Sequence, residues 1–293
     1  MSSPRASREL PAPTDEAELL PWLLATLSPM NRTRVKQLLR SGRVAVNGNS
    51  VTRHDHPLRP GDCVSISREA PASLSSQLGG ITVVFEDASL TVIDKPPGLL
   101  TVATESEKTD TTFVRLRDHM AKQNAGRPFV VHRLDRETSG LLLFAKSAEV
   151  RDSLQASWDA VTKKYFAIVE GTPRPTEGEI ENYLTEGRNL RVLASKHPGK
   201  GAKQALSLYR VISSNSRYSL VDVTLETGRK HQIRVHKAGV GCPVAGDRVY
   251  GAATDPAGRL CLHAWRIAFT HPVTGERVDV ESPLPEKLRR IVE

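Results

Sequence analysis

Apolar side chains at the start of the chain recur at helical spacing. The segments "EAELLPWLLATL" and "NRTRVKQLLRSG" predict two helices, with Asn31 as the N-cap of the second and Gly42 as its end. Two strand-like segments follow, "RVAVNGNSV" and "RPGDCVSIS", and the first turns at Asn47-Gly48. The pattern therefore predicts a small N-terminal unit of helices and strands.

Strand patterns dominate the remainder of the chain. The run "LLLFA", Leu141 to Ala145, is continuously apolar, as in a strand buried on both faces. Helical spacing occurs in "FVRLRDHMAKQ", "AEVRDSLQASWDAV" and "HQIRVHKAGV", whereas most other segments are strand-like and joined by short connections. This predicts an α+β domain around a mixed, mostly antiparallel central sheet.

Composition divides the chain into four parts. The Pro-, Ala- and Ser-rich stretch "REAPASLSSQLGG" has the composition of a linker, and the first residues lack the apolar core of a secretory signal. We predict a disordered tail at residues 1–16, a small domain at 17–68, a linker at 69–80 and a second domain at 81–293. No apolar run approaches the roughly 20 residues of a membrane-spanning helix, so no membrane association is expected.

Charge changes the picture of the N-terminal unit. The formal net charge of +8 at pH 7 favours a polyanionic partner such as nucleic acid. A basic run is commonly only a solvated face, but a run without acids forgoes every local ion pair and raises self-repulsion. Between Asn31 and His54 there is no acid, and the basic residues are Arg32, Arg34, Lys36, Arg40, Arg43 and Arg53. This part of the sequence favours nucleic-acid binding.

Cysteines and histidines do not occur at the spacings of a metal site. Cys63, Cys242 and Cys261 are widely separated, and His231 and His236 are five residues apart rather than four. Neither a metal nor a disulfide framework is predicted, and reduced thiols in a cytoplasmic protein are expected. The absence of a glycine-rich phosphate-binding loop leaves a nucleotide cofactor without support.

The stretch "VHRLDRETSG" places one aspartate, Asp135, between two arginines and directly before the apolar strand. A carboxylate on a short loop braced by a buried strand is a candidate reactive group. The same residues also fit an ordinary turn, in which Asp135 caps the backbone amides of Glu137 or Thr138. Taken alone, these residues favour the turn.

Three stretches, read together, decide between the two interpretations. With "HRLDRETSG", "KKYFAIVEG" and "LETGRKHQIRVHKAGV" in this order, the chain from about Ile81 to Pro283 resembles the RluA family of pseudouridine synthases. "VIDKPPGLLTV", "PVAGDRVYG" and "LCLHAWRIAFTHPVTGE" extend the resemblance. "NRTRVKQLLRSGRVAVNG" in turn resembles the S-four type, or alpha-L, RNA-binding domain, whose helices present basic side chains to structured RNA. These resemblances imply an RNA-binding domain at 17–68 and a pseudouridine synthase catalytic domain at 81–293.

The family resemblance implies a role for each matching residue. Asp135 is the expected catalytic carboxylate of a reaction that breaks the bond between uracil and ribose, turns the base and rejoins it through ring carbon 5. An ionised carboxylate can stabilise the developing oxocarbenium ion, attack it or remove a proton, and the sequence leaves these open. Arg234 is expected to hold Asp135 through a two-pronged contact, and Tyr165 to stack on the uracil and relay a proton.

Further contacts to the RNA are expected from both domains. His132 and Arg133 are candidates to brace the extruded nucleotide, and Leu262 is a candidate wall of the uracil pocket. The candidate phosphate contacts of the N-terminal unit are Arg32, Arg34, Lys36, Arg40 and Arg43. Because the isomerisation has no net redox change, no cofactor is expected, and no protein partner is implied for a chain expected to be a monomer.

Three other classes of function remain as alternatives. A non-catalytic RNA-binding protein would not need Asp135, Tyr165 and Arg234, yet all three are present. A ribosome-assembly role is compatible with the basic N-terminal unit and can coexist with catalysis. A glycoside hydrolase using Asp135 with Glu137 lacks an evident acid/base asymmetry. The expected substrate is a uridine in structured RNA. Large-subunit ribosomal RNA is favoured because an appended alpha-L domain occurs in members acting on it, and transfer RNA is the alternative.

Overall fold

A computed structural model describes most of the chain. The described residues are 7–40, 43–51, 53–67, 80–105, 107–123, 125–187 and 191–293. Their α-helices are α1 Leu19–Thr26, α2 Arg32–Arg40, α3 Thr112–Lys122, α4 Ala148–Ala156, α5 Gln232–Gly239 and α6 Glu286–Val292. Their strands are β1 Ser7–Glu9, β2 Ala17–Glu18, β3 Val44–Val46, β4 Asn49–Ser50, β5 Pro57–Leu58, β6 Val64–Ser67, β7 Thr82–Glu86, β8 Leu90–Lys95, β9 Phe129–Val130, β10 Ser139–Ala145, β11 Thr162–Glu170, β12 Glu177–Glu186, β13 Val192–Ser195, β14 Lys203–Ser214, β15 Tyr218–Leu225, β16 Leu262–Thr270 and β17 Arg277–Glu281.

The N-terminal unit packs α1 and α2 on a small sheet of order β1-β6-β3-β4. Asn31 Oδ1 accepts a hydrogen bond from Arg34 N at 2.9 Å, which confirms the predicted N-cap of α2. The predicted turn between β3 and β4 is also confirmed, since Asn47 and Gly48 adopt φ angles of 50° and 80°. The predicted helix end at Gly42 lies outside the described residues.

The predicted tail at residues 1–16 is corrected from residue 7 onward. Ser7–Glu9 pairs antiparallel with β6 as an edge strand, and Leu10 is buried in the core of the N-terminal unit. A strand of three polar residues has too little alternation to be detected by pattern, and β6 supplies the backbone partners that hold it. Residues 1–6 lie outside the described part of the chain, as does the predicted linker except for Gly80.

The second part of the chain forms one large sheet. Its strand order is β13-β12-β14-β15-β11-β16-β10-β8-β7, with β17 added on β16 and β9 on β10. Its strand pairs are antiparallel except for β10 and β16, which run parallel with Ser139 opposite His263 and Gly140 opposite Ala264. The mixed, mostly antiparallel α+β prediction is confirmed.

Strand β10 lies at the centre of the hydrophobic core. All seven of its residues are buried, as its continuous apolar run predicts. Leu142 and Phe144 pack in a cluster with side chains of α3, whereas Leu141 and Leu143 pack in a second cluster with Leu154 of α4. Each large apolar side chain so buried stabilises the fold by about 1.5–3 kcal/mol. The loop before β10 is therefore anchored to a rigid strand.

The N-terminal unit contacts the large sheet through α2, which lies against β7 and β17. Arg34 Nη2 is 3.1 Å from Glu281 Oε2 at this contact.

Within the described residues, no helix has the length and apolar character required to cross a membrane.

Candidate active site

A cleft of about 840 Å³ lies between the loop preceding β10, strand β11 and helix α5. The six predicted site residues of the second domain all line it: His132, Arg133, Asp135, Tyr165, Arg234 and Leu262. These residues come from four separate stretches of sequence, and the parallel contact between β10 and β16 helps to bring them together.

The turn at Asp135 forms, but through the main chain rather than through the predicted side-chain cap. The backbone carbonyl of Asp135 accepts a hydrogen bond from Thr138 N at 3.1 Å, so the turn is made by the main chain. The carboxylate faces the cleft, with Oδ2 3.6 Å from Arg234 Nη1 and 3.8 Å from His231 Nε2. A carboxylate with a cation beside it and partial access to the cleft is suited to react with a bound molecule.

The segment after β8 clamps the Asp135 loop on both sides. Lys95 is fully buried, and its Nζ donates to the carbonyl oxygens of Leu99 at 2.8 Å and Arg136 at 3.1 Å. Thr101 Oγ1 donates to the carbonyl oxygen of Leu134 at 2.9 Å. The residues on either side of Asp135 are thereby tied to "KPPGLLT", so the carboxylate has a defined position.

Gly140 allows the close approach of β10 to β16. Its φ is +111°, and a Cβ built there would lie 2.2 Å from the carbonyl oxygen of Ala264. Ser139 Oγ is 2.9 Å from His263 Nδ1 and accepts from Arg259 Nη2 at 2.8 Å. A larger residue at position 140 would separate the Asp135 loop from the strand that carries Leu262.

Arg234 departs from the predicted two-pronged pair with Asp135. Its Nε and Nη2 donate to Asp247 at 2.7 and 2.8 Å, and its Nη1 is left facing Asp135. The predicted bidentate contact is wrong because the buried Asp247 lies behind the guanidinium and takes both prongs. Burial lowers the pKa of Arg234, but the hydrogen bonds and charge of Asp247 and the charge of Asp135 outweigh it, leaving the pKa above its usual value.

Tyr165 and Leu262 form an apolar wall of the cleft. Tyr165 lies at a bulge between β11 and β16, and Leu262 begins β16. Burial, with a smaller effect of the Asp135 charge, raises the pKa of Tyr165, so its phenol stays protonated at neutral pH. The ring offers a stacking surface and the hydroxyl keeps a proton to donate.

His132 and Arg133, the two predicted contacts to the extruded nucleotide, differ in exposure and in hydrogen bonding. His132 accepts a hydrogen bond from Leu143 N at 3.0 Å through Nε2, and its ring centroid is 4.7 Å from that of Trp158. Burial lowers the pKa of His132 to about 3, so the imidazole is neutral and tied to β10. Arg133 is exposed at the cleft.

The sequence indicated no role for Asp247, His231 or Tyr250, which the structure places against the predicted site residues or against one another. Asp247 and Tyr250 lie in "PVAGDRVYG", which carried the family resemblance without a role for either residue. His231 was considered only as a metal ligand, yet it is the second group facing Asp135. The signal available in the sequence was an Asp next to small residues in "PVAGD", and only the tertiary structure shows that Asp247 is buried opposite Arg234.

The basic residues of the N-terminal unit are not equivalent. Arg32 is exposed and Lys36 half-buried on α2, and the side chain of Arg40 lies outside the described part. Arg43 Nε donates to the carbonyl of Ser67 at 2.8 Å, and burial, followed by the charge of Arg34, lowers its pKa.

The expectation that this basic run forgoes every local ion pair is wrong at Arg53, and Arg34 has an ion pair with a residue far away in the sequence. Arg34 contacts Glu281, and Arg53 Nη2 is 2.9 Å from Asp55 Oδ2. Both acids lie outside the stretch considered in the sequence. One of them is brought to α2 only by the folding of β17 against it, which no local pattern indicates.

The described part of the chain contains no group of three or more His, Cys, Asp or Glu side chains placed to hold a metal ion. Cys242 and Cys261 are buried, and Cys63 is exposed.

Comparison with known proteins identifies close relatives. The profile of a family described as RNA pseudouridylate synthase matches residues 89–238. An uncharacterized RNA pseudouridine synthase, YlyB of Bacillus subtilis (strain 168), is 34% identical over 281 residues, covering 93% of this chain and 92% of the relative. The ribosomal large subunit pseudouridine synthase D of Zymomonas mobilis is 31% identical and covers 93% of each chain.

Solved structures share the fold. Human RNA pseudouridylate synthase domain containing 4 superposes with a TM-score of 0.61 at 24% identity, over 75% of this chain and 94% of that chain. Human RNA pseudouridylate synthase domain containing 1 gives a TM-score of 0.58 at 26% identity, over 70% and 84% of the two chains.

Proposed function

Because the chain belongs to the RNA pseudouridylate synthase family, and is therefore an isomerase that converts uridine in RNA to pseudouridine, we propose that Asp135, Tyr165 and Arg234 form its active site and that its substrate is large-subunit ribosomal RNA. The observation that carries the site proposal is the Asp135 carboxylate, which faces the cleft with Arg234 Nη1 at 3.6 Å.

Asp135 is suited to the first chemical step. Cleavage of the bond between uracil and ribose builds positive charge on the sugar, which an ionised carboxylate stabilises, attacks or relieves by removing a proton. Arg234 places a positive charge beside the carboxylate, with Nη1 3.6 Å from Oδ2. Asp247, which holds two nitrogens of the guanidinium, keeps the third directed at Asp135.

Tyr165 and Leu262 are suited to hold the base. The uridine has to leave its stack to reach Asp135, which costs a few kcal/mol that pocket contacts must return. A protonated tyrosine ring and a leucine give the uracil an apolar wall. Once C5 is joined to the ribose, a proton has to leave that carbon. The protonated phenol of Tyr165 can relay it only by passing its own proton to an acceptor, for which the Asp135 carboxylate is the candidate in the cleft.

Two observations support ribosomal RNA as the substrate. Relatives named ribosomal large subunit pseudouridine synthase D match more than nine tenths of this chain, so the match includes the N-terminal unit. That unit, with its cap at Asn31 and its basic α2, fits an S-four type RNA-binding domain at residues 17–68 followed by a catalytic domain at 81–293. We propose that Arg32, Lys36 and their basic neighbours contact phosphates there, and that the enzyme acts as a cytoplasmic monomer without a cofactor.

Mapping of pseudouridines tests the substrate directly. We would compare ribosomal and transfer RNA from cells with the protein, without it, and with the Asp135→Asn variant. The proposal expects one or more sites in large-subunit ribosomal RNA to disappear without the protein and to return only with the wild type. Sites lost solely from transfer RNA would reject the ribosomal substrate and keep the enzyme. Sites restored by Asp135→Asn would reject the proposed catalytic residue.

A further inference from the structure

The hydrogen bonds behind His231 define how its imidazole meets Asp135. We infer that His231 and Tyr250 form a relay in which a neutral imidazole donates from Nε2 to Asp135 Oδ2 and so positions the carboxylate for reaction through Oδ1. This inference deepens the proposed function, since it rests on Asp135 as the reacting group.

The backbone places His231 in an unusual conformation. His231 precedes α5 with a φ of 55°, a left-handed value that residues other than glycine seldom adopt. Among the described residues, the other non-glycine residue with positive φ is Asn47, which lies in a hairpin turn where this conformation is ordinary. Such strain persists only where surrounding contacts hold it, and it is concentrated at functional sites.

The direction of the relay follows from its donors. Val192 N can only donate, and it lies 3.0 Å from the Tyr250 hydroxyl oxygen, which therefore accepts. Among the described residues, the partner to which this hydroxyl can donate is His231 Nδ1, at 2.8 Å. With Nδ1 accepting, the proton of a neutral imidazole resides on Nε2, which faces Asp135 Oδ2 at 3.8 Å.

The charges around the ring favour the neutral form. Burial lowers the pKa of His231, and the charges of Arg234 and Lys230 lower it further, against the opposing effect of Asp135 and Asp247. Arg234 already supplies a positive charge beside Asp135, so the imidazole adds direction rather than a second charge. At 3.8 Å this contact is longer than a hydrogen bond, and the relay requires it to shorten when substrate binds, as hydrogen bonds of active sites often do.

One short helix supports both groups that face Asp135. Asp247 caps the 3-10 helix at Arg248–Tyr250, its Oδ1 accepting from Tyr250 N at 3.3 Å, while it also holds Arg234. The hydroxyl of Tyr250 holds His231, and its ring lies 5.0 Å from the Arg234 guanidinium. The closest contacts of Arg234 and His231 with the carboxylate are both at Oδ2, so Oδ1 is the oxygen that the relay assigns to the substrate.

The tautomer of His231 is the direct test. We would record nitrogen-15 NMR spectra of the full-length protein labelled in its histidine rings, and assign His231 by comparison with His231→Asn, since asparagine tolerates the left-handed conformation. The inference expects the wild type to carry the proton on Nε2 with Nδ1 unprotonated. Tyr250→Phe, which removes only the hydroxyl, should yield a mixture of tautomers. An Nδ1-protonated or doubly protonated ring in the wild type would overturn the inference.

Kinetics test whether the relay acts on the reaction. On a large-subunit ribosomal RNA transcript tritiated at uracil C5, His231→Asn should lower kcat about 10- to 100-fold, the loss expected for a hydrogen bond to a charged group, with KM little changed. Tyr250→Phe, which keeps part of the Nε2-protonated tautomer, should lower kcat about 2- to 10-fold, the loss expected for a hydrogen bond between neutral groups. The matched control is Tyr209→Phe, whose buried hydroxyl donates to the Pro175 carbonyl at 3.0 Å outside the cleft. It should retain the wild-type kcat.

The outcomes separate this inference from the proposed function. An unchanged kcat in Tyr250→Phe overturns the relay even if Asp135→Asn is inactive. Activity in Asp135→Asn instead overturns the proposed site, and the relay with it. A fall in kcat shared by Tyr209→Phe would mean that loss of a buried hydroxyl, rather than the His231 tautomer, slows the enzyme, and would also overturn the relay.

Discussion

At the scale of single residues, Arg234 places a positive charge beside Asp135, and Asp247 holds that charge in position. The carboxylate of Asp135 meets one nitrogen of Arg234, while the other two nitrogens of that guanidinium face Asp247. A buried Arg–Asp pair is costly to desolvate, so it contributes little to stability by itself. Its value here is that it holds a cation at a set distance from the group proposed to react.

Replacing Asp135 by asparagine removes the charge of the carboxylate and keeps its shape. Asp135→Asn should lower isomerisation more than about 10⁴-fold, the loss seen when a reacting group is removed, while RNA affinity and stability stay close to the wild type. Tritium release from C5-labelled RNA and filter binding measure the two quantities. Glu137→Gln, an exposed carboxylate of the same loop, is the control and should remain active. A comparable loss in Glu137→Gln would instead support a two-carboxylate mechanism.

Substitution of Arg234 tests the corrected pairing. Arg234→Ala leaves the buried Asp247 without its partner and removes the cation beside Asp135, so we expect a loss of about 3–5 kcal/mol in unfolding free energy and a large fall in kcat. Arg234→Lys should restore only part of each, because an ammonium cannot donate two parallel hydrogen bonds to Asp247.

The control for Arg234 is Arg266→Ala. It removes a similar two-pronged pair with Asp279 whose side chains are each 31% exposed, so it should cost no more than about 1 kcal/mol and leave kcat unchanged. Urea denaturation and steady-state kinetics provide the readouts. Full activity in Arg234→Ala would mean that Arg234 does not support Asp135.

At the scale of elements, strand β10 and its neighbours determine where the Asp135 loop lies. Both faces of β10 are covered, by side chains of α3 on one and of α4 on the other, so the strand has no freedom to shift. Its parallel contact with β16 is short and depends on Gly140. Two substitutions probe these anchors separately.

Gly140→Ala should disrupt the contact of β10 with β16. The added Cβ would meet backbone atoms of Ala264, beginning at 2.2 Å, in a conformation that L residues rarely adopt. We expect a loss of about 2–4 kcal/mol in unfolding free energy, together with reduced kcat as Asp135 moves. Gly199→Ala, at a site where a Cβ meets nothing within 4 Å, should change stability by no more than about 0.5 kcal/mol. Equal stabilities of the two variants would contradict the close approach.

His132, whose imidazole accepts a hydrogen bond from β10, makes the stability of the protein depend on pH. Its pKa is about 3 in the fold and 6.5 as the reference value, so between these values the folded state binds fewer protons than the unfolded state. Stability therefore rises with pH across this window and is lost as the pH falls, at up to about 1.4 kcal/mol per pH unit. His132→Gln should be less stable at pH 7 but show a shallower fall between pH 7 and 4 in urea denaturation. His197→Gln, an exposed histidine, should keep the wild-type slope.

At the scale of the whole molecule, the N-terminal unit and the large sheet meet through α2. Arg34 contacts Glu281 at this junction, whereas Arg32 is exposed on the same helix. The proposed RNA surface is thus carried by a helix that also packs against β7 and β17. A phosphate backbone bound to α2 would lie on the same body as the cleft.

Removal of charge from α2 tests its proposed contact with RNA. Arg32→Ala combined with Lys36→Ala should weaken binding to structured RNA and reduce the slope of log affinity against log salt by about 1–2, the loss of one or two phosphate contacts. Arg174→Ala with Arg217→Ala removes the same charge from exposed loops of the second domain and is the control. Equal salt slopes for the two double variants would show that α2 contributes only net charge.

Much of this molecule was determined by local pattern alone. The buried strand β10, the capped helix beginning after Asn31, the turn at Asn47-Gly48 and the α+β sheet follow from periodicity and turn chemistry, since each depends on neighbouring residues. The residues of the cleft were likewise recognisable in sequence, because short motifs carried their family resemblance. The edge strand at Ser7–Glu9 escaped detection, since three polar residues form a strand only through the partner that pairs with them.

The pairings of charges were decided by tertiary structure. Asp247 lies closer in sequence to Arg234 than Asp135 does, but that proximity says nothing about which carboxylate meets the two prongs of the guanidinium. The same holds for Arg34 with Glu281 and for the relay from Val192 through Tyr250 to His231. Ion pairs and hydrogen bonds of this kind depend on distances of a few ångströms between segments far apart in the chain. Those distances exist only once the sheet has assembled.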